Sequence, residues 1–165
     1  MSILETLIPK QANNDFRGGA IPLYAFCLLI AVTTFRSLVH FLKADSGVNS
    51  IASIHLFHGD PDPNQVIYMF SSLWGSQQAI TVLVYLIVLY RYRNLIPLMF
   101  ALMLVEIAFR MVVGSIHPLT EEFYVRTPPG KLGNLPLALV SVLMLYLSHR
   151  NITAADEPAL AEPAR

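Results

Sequence analysis

Glu106 and Arg110 stand four residues apart inside the apolar run LIPLMFALMLVEIAFRMVVGSI, and Arg36 and His40 stand four apart inside GAIPLYAFCLLIAVTTFRSLVHFL. Ionisable side chains in such surroundings are costly to bury and call for a reason. At that spacing on a helix, a carboxylate and a guanidinium share one face. They can neutralise one another, move a proton, or clamp an anionic group. Two further runs carry amides: Gln77 and Gln78 in VIYMFSSLWGSQQAITVLVYLIVLY, and Asn134 in LGNLPLALVSVLMLYLS. The candidate ligand-binding residues are therefore Arg36, His40, Gln77, Gln78, Glu106, Arg110 and Asn134.

Helical spacing sorts these residues into stripes. Thr33, Arg36, Ser37 and His40 lie on one face of the first run. Ser71, Trp74, Gln78, Thr81 and Tyr85 form a stripe on the second, with Gln77 beside it. Glu106, Arg110 and His117 align on the third, and Asn134, Ala138 and Ser141 on the fourth. Four polar stripes point to a common interior. Within it, two arginines face one glutamate, and Glu106 is expected to serve only one of them well. A guanidinium keeps its proton under ordinary conditions, so the surplus positive charge must meet solvent, headgroups or a bound anion. The plainer account is structural: Glu106 and Arg110 pair, interhelical hydrogen bonds contribute roughly 0.6 kcal/mol each, and Arg36 snorkels to the headgroups.

Other chemistries find less support. His40 and His117 both fall at helix ends, a poor place for a bis-imidazole haem that needs facing mid-helix ligands. His55 and His58, with Asp60 and Asp62, offer nitrogen and oxygen donors for a metal, but short loop clusters of this kind are ordinarily just solvated. No metal site is expected. Cys27 is the single cysteine, which excludes an internal disulfide and a thiolate metal site. The chain has no Gly-rich phosphate loop, no H-E-x-x-H and no G-x-S-x-G. The net charge is zero and no basic patch is present, so nucleic acid is not an expected partner.

The elements that must position these residues are membrane spans. Hydrophobic residues make up 55% of the 165 and charged residues 13%, with a mean hydropathy of +0.54. A soluble domain carries roughly 25% charged residues, about twice this fraction. About 20 apolar residues cross the hydrocarbon core as a helix, and lipid forces the backbone to bond within itself. The sequence thus predicts an all-α, integral-membrane four-helix bundle over residues 19–148. Its helices run from about Gly19 to Leu42, Val66 to Tyr90, Leu95 to Ile116 and Leu132 to Ser148. Pro22, Pro97 and Pro136 each fall near the first turn of a segment, where a missing N–H does least harm. The first segment is too long for a signal peptide's apolar core and no A-x-A site follows it, so it reads as a retained helix.

Residues 1–18 are too polar to span, Ile3 to Ile8 making at most a short interfacial turn. Residues 149–165 read as a disordered tail rich in Ala, Pro and acid. Basic residues set the orientation. The link Arg91-Tyr92-Arg93-Asn94 is short and basic, and placing it in the cytoplasm also puts Lys10, Arg17 and Arg150 there. Both termini are then cytoplasmic. The outer loops carry Lys43, Arg126 and Lys131 against Asp45, Asp60, Asp62, Glu121 and Glu122. In this orientation Arg36 lies about 9 Å from the outer end of its helix, with Arg110 at similar depth and Glu106 about one turn deeper. Gln77, Gln78 and Asn134 share that outer half, so the polar pocket opens outward.

The segments FRSLVH, WGSQQ, RYRNLIPLM, E-x-x-x-R-x-x-x-G and PPGKLGN resemble those of small four-helix membrane proteins of bacteria. The layout, over residues 20 to 148, is similar to that of the DoxX-like membrane proteins, with no motif of that family matched residue by residue. The resemblance implies a fold and a compartment, the bacterial inner membrane, and brings no activity with it. The functional reading is a noncatalytic membrane protein whose outward pocket binds a polar-headed or anionic lipophile, such as a lipid or quinone, or which docks on a larger membrane complex. Two alternatives stand beside it: an enzyme acting on a lipid or isoprenoid with Glu106 as acid/base, and a small transporter. The short chain and lack of repeats count against the transporter.

Overall fold

A computed structural model describes residues 2–156. The described residues form five α-helices: α1 (Ile3–Leu7), α2 (Ala20–Leu42), α3 (Asn64–Arg91), α4 (Ile96–Ile116) and α5 (Pro129–Asp156). Single 3-10 turns precede α4 (Arg93–Leu95) and lie between α4 and α5 (Glu121–Phe123). No strand is present among the described residues, and four of the helices are long and apolar enough to cross a membrane.

Each helix has local causes. In α1, the Ser2 hydroxyl accepts from the Glu5 N–H while the Glu5 carboxylate accepts from the Ser2 N–H, a reciprocal capping box. Those hydrogen bonds, led by that to the Ser2 backbone, hold the Glu5 carboxyl below its ordinary pKa. Gly19 enters α2 at φ 94°, a conformation open to glycine, where a side chain would collide with Asn151. Pro97 sits in the first turn of α4, as expected. α5 departs from expectation at both ends. It begins at Pro129, which leaves Pro136 inside the helix, and it runs past Ser148 to Asp156. The disordered tail expected over 149–165 is thus helical as far as Asp156, and the remainder lies outside the described residues.

The termini-proximal segments meet at one end of the bundle. Asn94, in the α3–α4 link, donates to the Gln11 carbonyl and accepts from the Asn13 N–H; Asn151 donates to the Gly18 carbonyl; and Thr6 bonds His149 at 2.8 Å. Arg17 pairs with Asp156 at 2.6 Å. The opposite end carries the two long loops, joined by an antiparallel bridge between Ile54 and Tyr124 and by the Val125 N–H donating to the Ser53 carbonyl.

Packing is uneven along the bundle axis. α2 lies mainly on α3, and α4 on α5. Phe26 is fully buried and meets Tyr85 and Phe100 edge-on at 5.4 and 6.0 Å, tying α2, α3 and α4 together in the half nearer the termini. Toward the loops α4 and α5 stand clear. Every residue from Met111 to Thr120 is exposed, and a Cβ placed on Gly114, Gly130 or Gly133 would meet nothing within 4 Å. The bundle is closed at the termini end and open at the loop end.

Candidate functional site

The close crossing of α2 and α3 sets the site. A Cβ on Gly75 would sit 2.5 Å from the Phe41 nitrogen and 2.6 Å from the His40 carbonyl carbon, so only glycine lets the two backbones touch here. Hydroxyls fasten the contact: Ser37 donates to the Gly75 carbonyl at 3.0 Å and Ser72 to the Phe41 carbonyl at 2.8 Å. With this register fixed, residues one turn along from the crossing face each other.

Arg36 is the hub. Its Nε donates to Gln78 Oε1 at 3.1 Å and a terminal nitrogen donates to Glu106 Oε1 at 3.3 Å, while its guanidinium carbon lies 4.9 Å from the Trp74 ring centroid. Arg110 donates to the same Glu106 oxygen at 2.8 Å. Glu106 therefore serves both arginines through one oxygen, the nearer being the i,i+4 partner, where the sequence suggests that only one is served well. No hydrogen bond among the described residues occupies its Oε2. Tyr85 is buried from α3 against Phe26. Within the cluster two buried donors, Gln78 Nε2 and Arg110 Nε, find no acceptor among the described residues; the buried Ser148 and Thr153 hydroxyls farther along α5 likewise find no partner there. An unmade hydrogen bond on a buried group is unfavourable by about 1–3 kcal/mol, so native proteins leave few such groups.

The candidate residues divide into three sets. Arg36, Gln78, Glu106 and Arg110 form one connected cluster drawn from α2, α3 and α4. His40 is buried beside it, packed edge-on against Trp74 at 4.7 Å, but its ring is committed to the loop. Its Nδ1 lies 2.7 Å from the Ser46 carbonyl, an acceptor, so that nitrogen carries the proton. Ser71 donates to the same carbonyl at 3.0 Å. Gln77 is exposed on the far side of α3, and half-buried Asn134 makes no hydrogen bond to the cluster. His117 ends α4 in the exposed stretch.

Trp74 is the residue that composition hides. It resembles an aromatic-belt side chain, like Tyr68 and Tyr124, yet it bridges Arg36 and His40. Its place depends on the Gly75 crossing, whose signal in the α3 sequence is the small-residue spacing Ser71/Gly75 and Ser72/Ser76. The loop that receives His40 is itself braced. Asp45 accepts from the Gly47 and Ser50 N–H groups at 3.1 and 2.8 Å, and Ser46 adopts φ 48° between them. Burial works against charge on Asp45, but the hydrogen bonds from Ser50 and Gly47, with Lys43 nearby, hold its carboxyl below the ordinary range. His55, His58, Asp60 and Asp62 are exposed, and no three His, Cys, Asp or Glu side chains converge as metal ligands among the described residues.

Four apolar helices of spanning length around a half-buried charge cluster define a multi-pass helical membrane protein. Comparison with protein families, with curated proteins and with solved structures finds no match for the chain.

Proposed function

We propose that this protein is a noncatalytic binder, in the bacterial inner membrane, of a polar-headed or anionic lipophile such as a phospholipid or quinone. The ligand's oxygen is received by Arg36, Gln78 and Arg110. The carrying observation is the pair of buried donors, Gln78 Nε2 and Arg110 Nε, left without acceptors in a cluster that already bears two guanidiniums on one carboxylate oxygen. A carbonyl or anionic oxygen supplies what both lack: an acceptor and negative charge. The open loop end, where a Cβ on Gly114, Gly130 or Gly133 would meet nothing within 4 Å, gives a lipophile a way in between α4 and α5. The charge distribution supports an orientation with both termini cytoplasmic and the open end outward.

The test is purification with native lipid followed by mass spectrometry of what copurifies. Wild-type protein is expected to carry a stoichiometric lipid or quinone. Arg36→Gln should strip it from folded protein, and Arg36→Lys should restore it in part, since an ammonium lacks the planar fork. Unchanged ligand content in folded Arg36→Gln protein ends the proposal. One observation favours a second reading, an enzyme acting on a lipid or isoprenoid: Glu106 keeps Oε2 available as an acid/base. A copurified molecule that is chemically altered by wild-type protein and left intact by Glu106→Gln would select that reading.

A further inference from the structure

At the opposite end of the molecule a cavity of about 570 Å³ lies between the N-terminal segment and the α3–α4 link, walled by Ala12–Asn14 and Tyr90–Arg93. No carboxylate lines it. Arg93 spends its Nε on the Leu89 carbonyl at 2.8 Å, which leaves its terminal nitrogens, and Arg91 is exposed. Among the described residues neither arginine has a carboxylate within ion-pair distance; the nearby acids Asp15 and Asp156 are both engaged by Arg17. Among the described residues Asn14 makes no side-chain hydrogen bond, and Asn13 accepts through its oxygen and keeps its amide hydrogens. The walls thus offer donors in excess of acceptors. The negative end of the α3 dipole opposes an anion with about half a charge, against two full positive charges. The cavity also has a definite depth: α3 ends at Arg91 and α4 begins at Ile96, so it lies where hydrocarbon gives way to headgroups, flanked by Tyr90 and Tyr92.

We propose that this cavity binds the phosphate of an anionic phospholipid headgroup in the leaflet at the termini end. The two guanidiniums fork onto phosphate oxygens, Asn13 and Asn14 donate from the opposite wall, and the tyrosines lie along the glycerol region. The site is separate from the Arg36 cluster and does not rest on the function proposed for it.

The experiment is thermal unfolding of the full chain in neutral detergent, titrated with phosphatidylglycerol, phosphatidylcholine or inorganic phosphate at equal phosphate concentration. Phosphatidylglycerol should raise the midpoint, and phosphatidylcholine, whose ammonium offsets its phosphate, should do so far less. Arg91→Gln should weaken the apparent affinity about fivefold, the contribution of one juxtamembrane arginine, and Arg91→Gln with Arg93→Gln should abolish the shift. If the double variant fails to fold, Arg91→Gln decides alone, because the Arg91 side chain makes no hydrogen bond or ion pair within the described residues. Arg36→Gln should leave the shift intact, which separates this site from the other. Equal shifts from both lipids, or an undiminished shift in folded Arg91→Gln protein, overturn the proposal. An equal shift from inorganic phosphate overturns the lipid source.

Discussion

Glu106 holds two guanidiniums on one oxygen, at 2.8 Å from Arg110 and 3.3 Å from Arg36, and that arrangement decides what its loss does. Removing the carboxylate leaves two like charges facing each other in a region poor in water. Removing one partner of a fully buried pair is unfavourable by about 3–5 kcal/mol. Here the three side chains keep 20–33% of their surface, so the loss is discounted to about 2 kcal/mol. Glu106→Gln should therefore lower the unfolding midpoint in detergent, and Glu106→Gln with Arg110→Met, which restores the original charge balance, should recover most of it. A double variant no more stable than Glu106→Gln would show that charge balance is not what holds the cluster. The i,i+4 half of this pairing is readable in the sequence, because helical spacing fixes it. The Arg36 half is not, because it depends on how two helices far apart in the chain come together.

The element that brings them together is the α2–α3 crossing. At Gly75 the atoms a Cβ would strike are backbone, the Phe41 nitrogen and the His40 carbonyl carbon, and neither can swing aside. Gly75→Ala should force the helices apart, break the Ser37 and Ser72 hydrogen bonds, and destabilise by about 1–3 kcal/mol. It should also shift the emission of Trp74, the single tryptophan, because the Arg36 and His40 contacts sit next to the crossing. Gly114→Ala, with open space around it, serves as the control and should do neither. Unaltered emission and midpoint in Gly75→Ala would mean that the crossing tolerates a methyl group and does not set the site. The spans are plain in the sequence because length and apolarity alone define a crossing helix. The last turns of α5 are not, because HRNITAAD is polar. Those turns are held by partners from the other terminus: Thr6 on His149, Gly18 on Asn151 and Arg17 on Asp156.

At the scale of the molecule, both termini-proximal segments lie at one end and both long loops at the other, so a single labelling experiment orients the whole protein. In a Cys27→Ser background, single cysteines at Ser46 and Thr120 probe the loop end, and one at Asn94 probes the other. Ser46 is buried, so Ser50, exposed in the same loop, is the better reporter there. Impermeant thiol reagent added outside intact cells should label Ser50→Cys and Thr120→Cys and spare Asn94→Cys. Labelling of Asn94→Cys alone would turn the open end of the bundle toward the cytoplasm. Gln77 and Asn134 show why the site as a whole was only partly legible. Each lies in an apolar run at the right depth. But Gln77 is next to the inward-facing Gln78, and a step of one residue turns it outward, while Asn134 belongs to the half of α5 that stands away from the bundle.

The clasp at the termini end has a consequence for how the protein is made. One side of its contacts comes from residues 6–18, which are made before any of the four spans, but their partners are Asn94, His149, Asn151 and Asp156. The N-terminal segment can touch Asn94 only after the first two spans, α2 and α3, have been synthesised, and the rest only as the fourth, α5, is completed. The clasp therefore cannot close fully until the last span is made. Until then residues 6–18 lack their α5 partners while the later helices are delivered beside them.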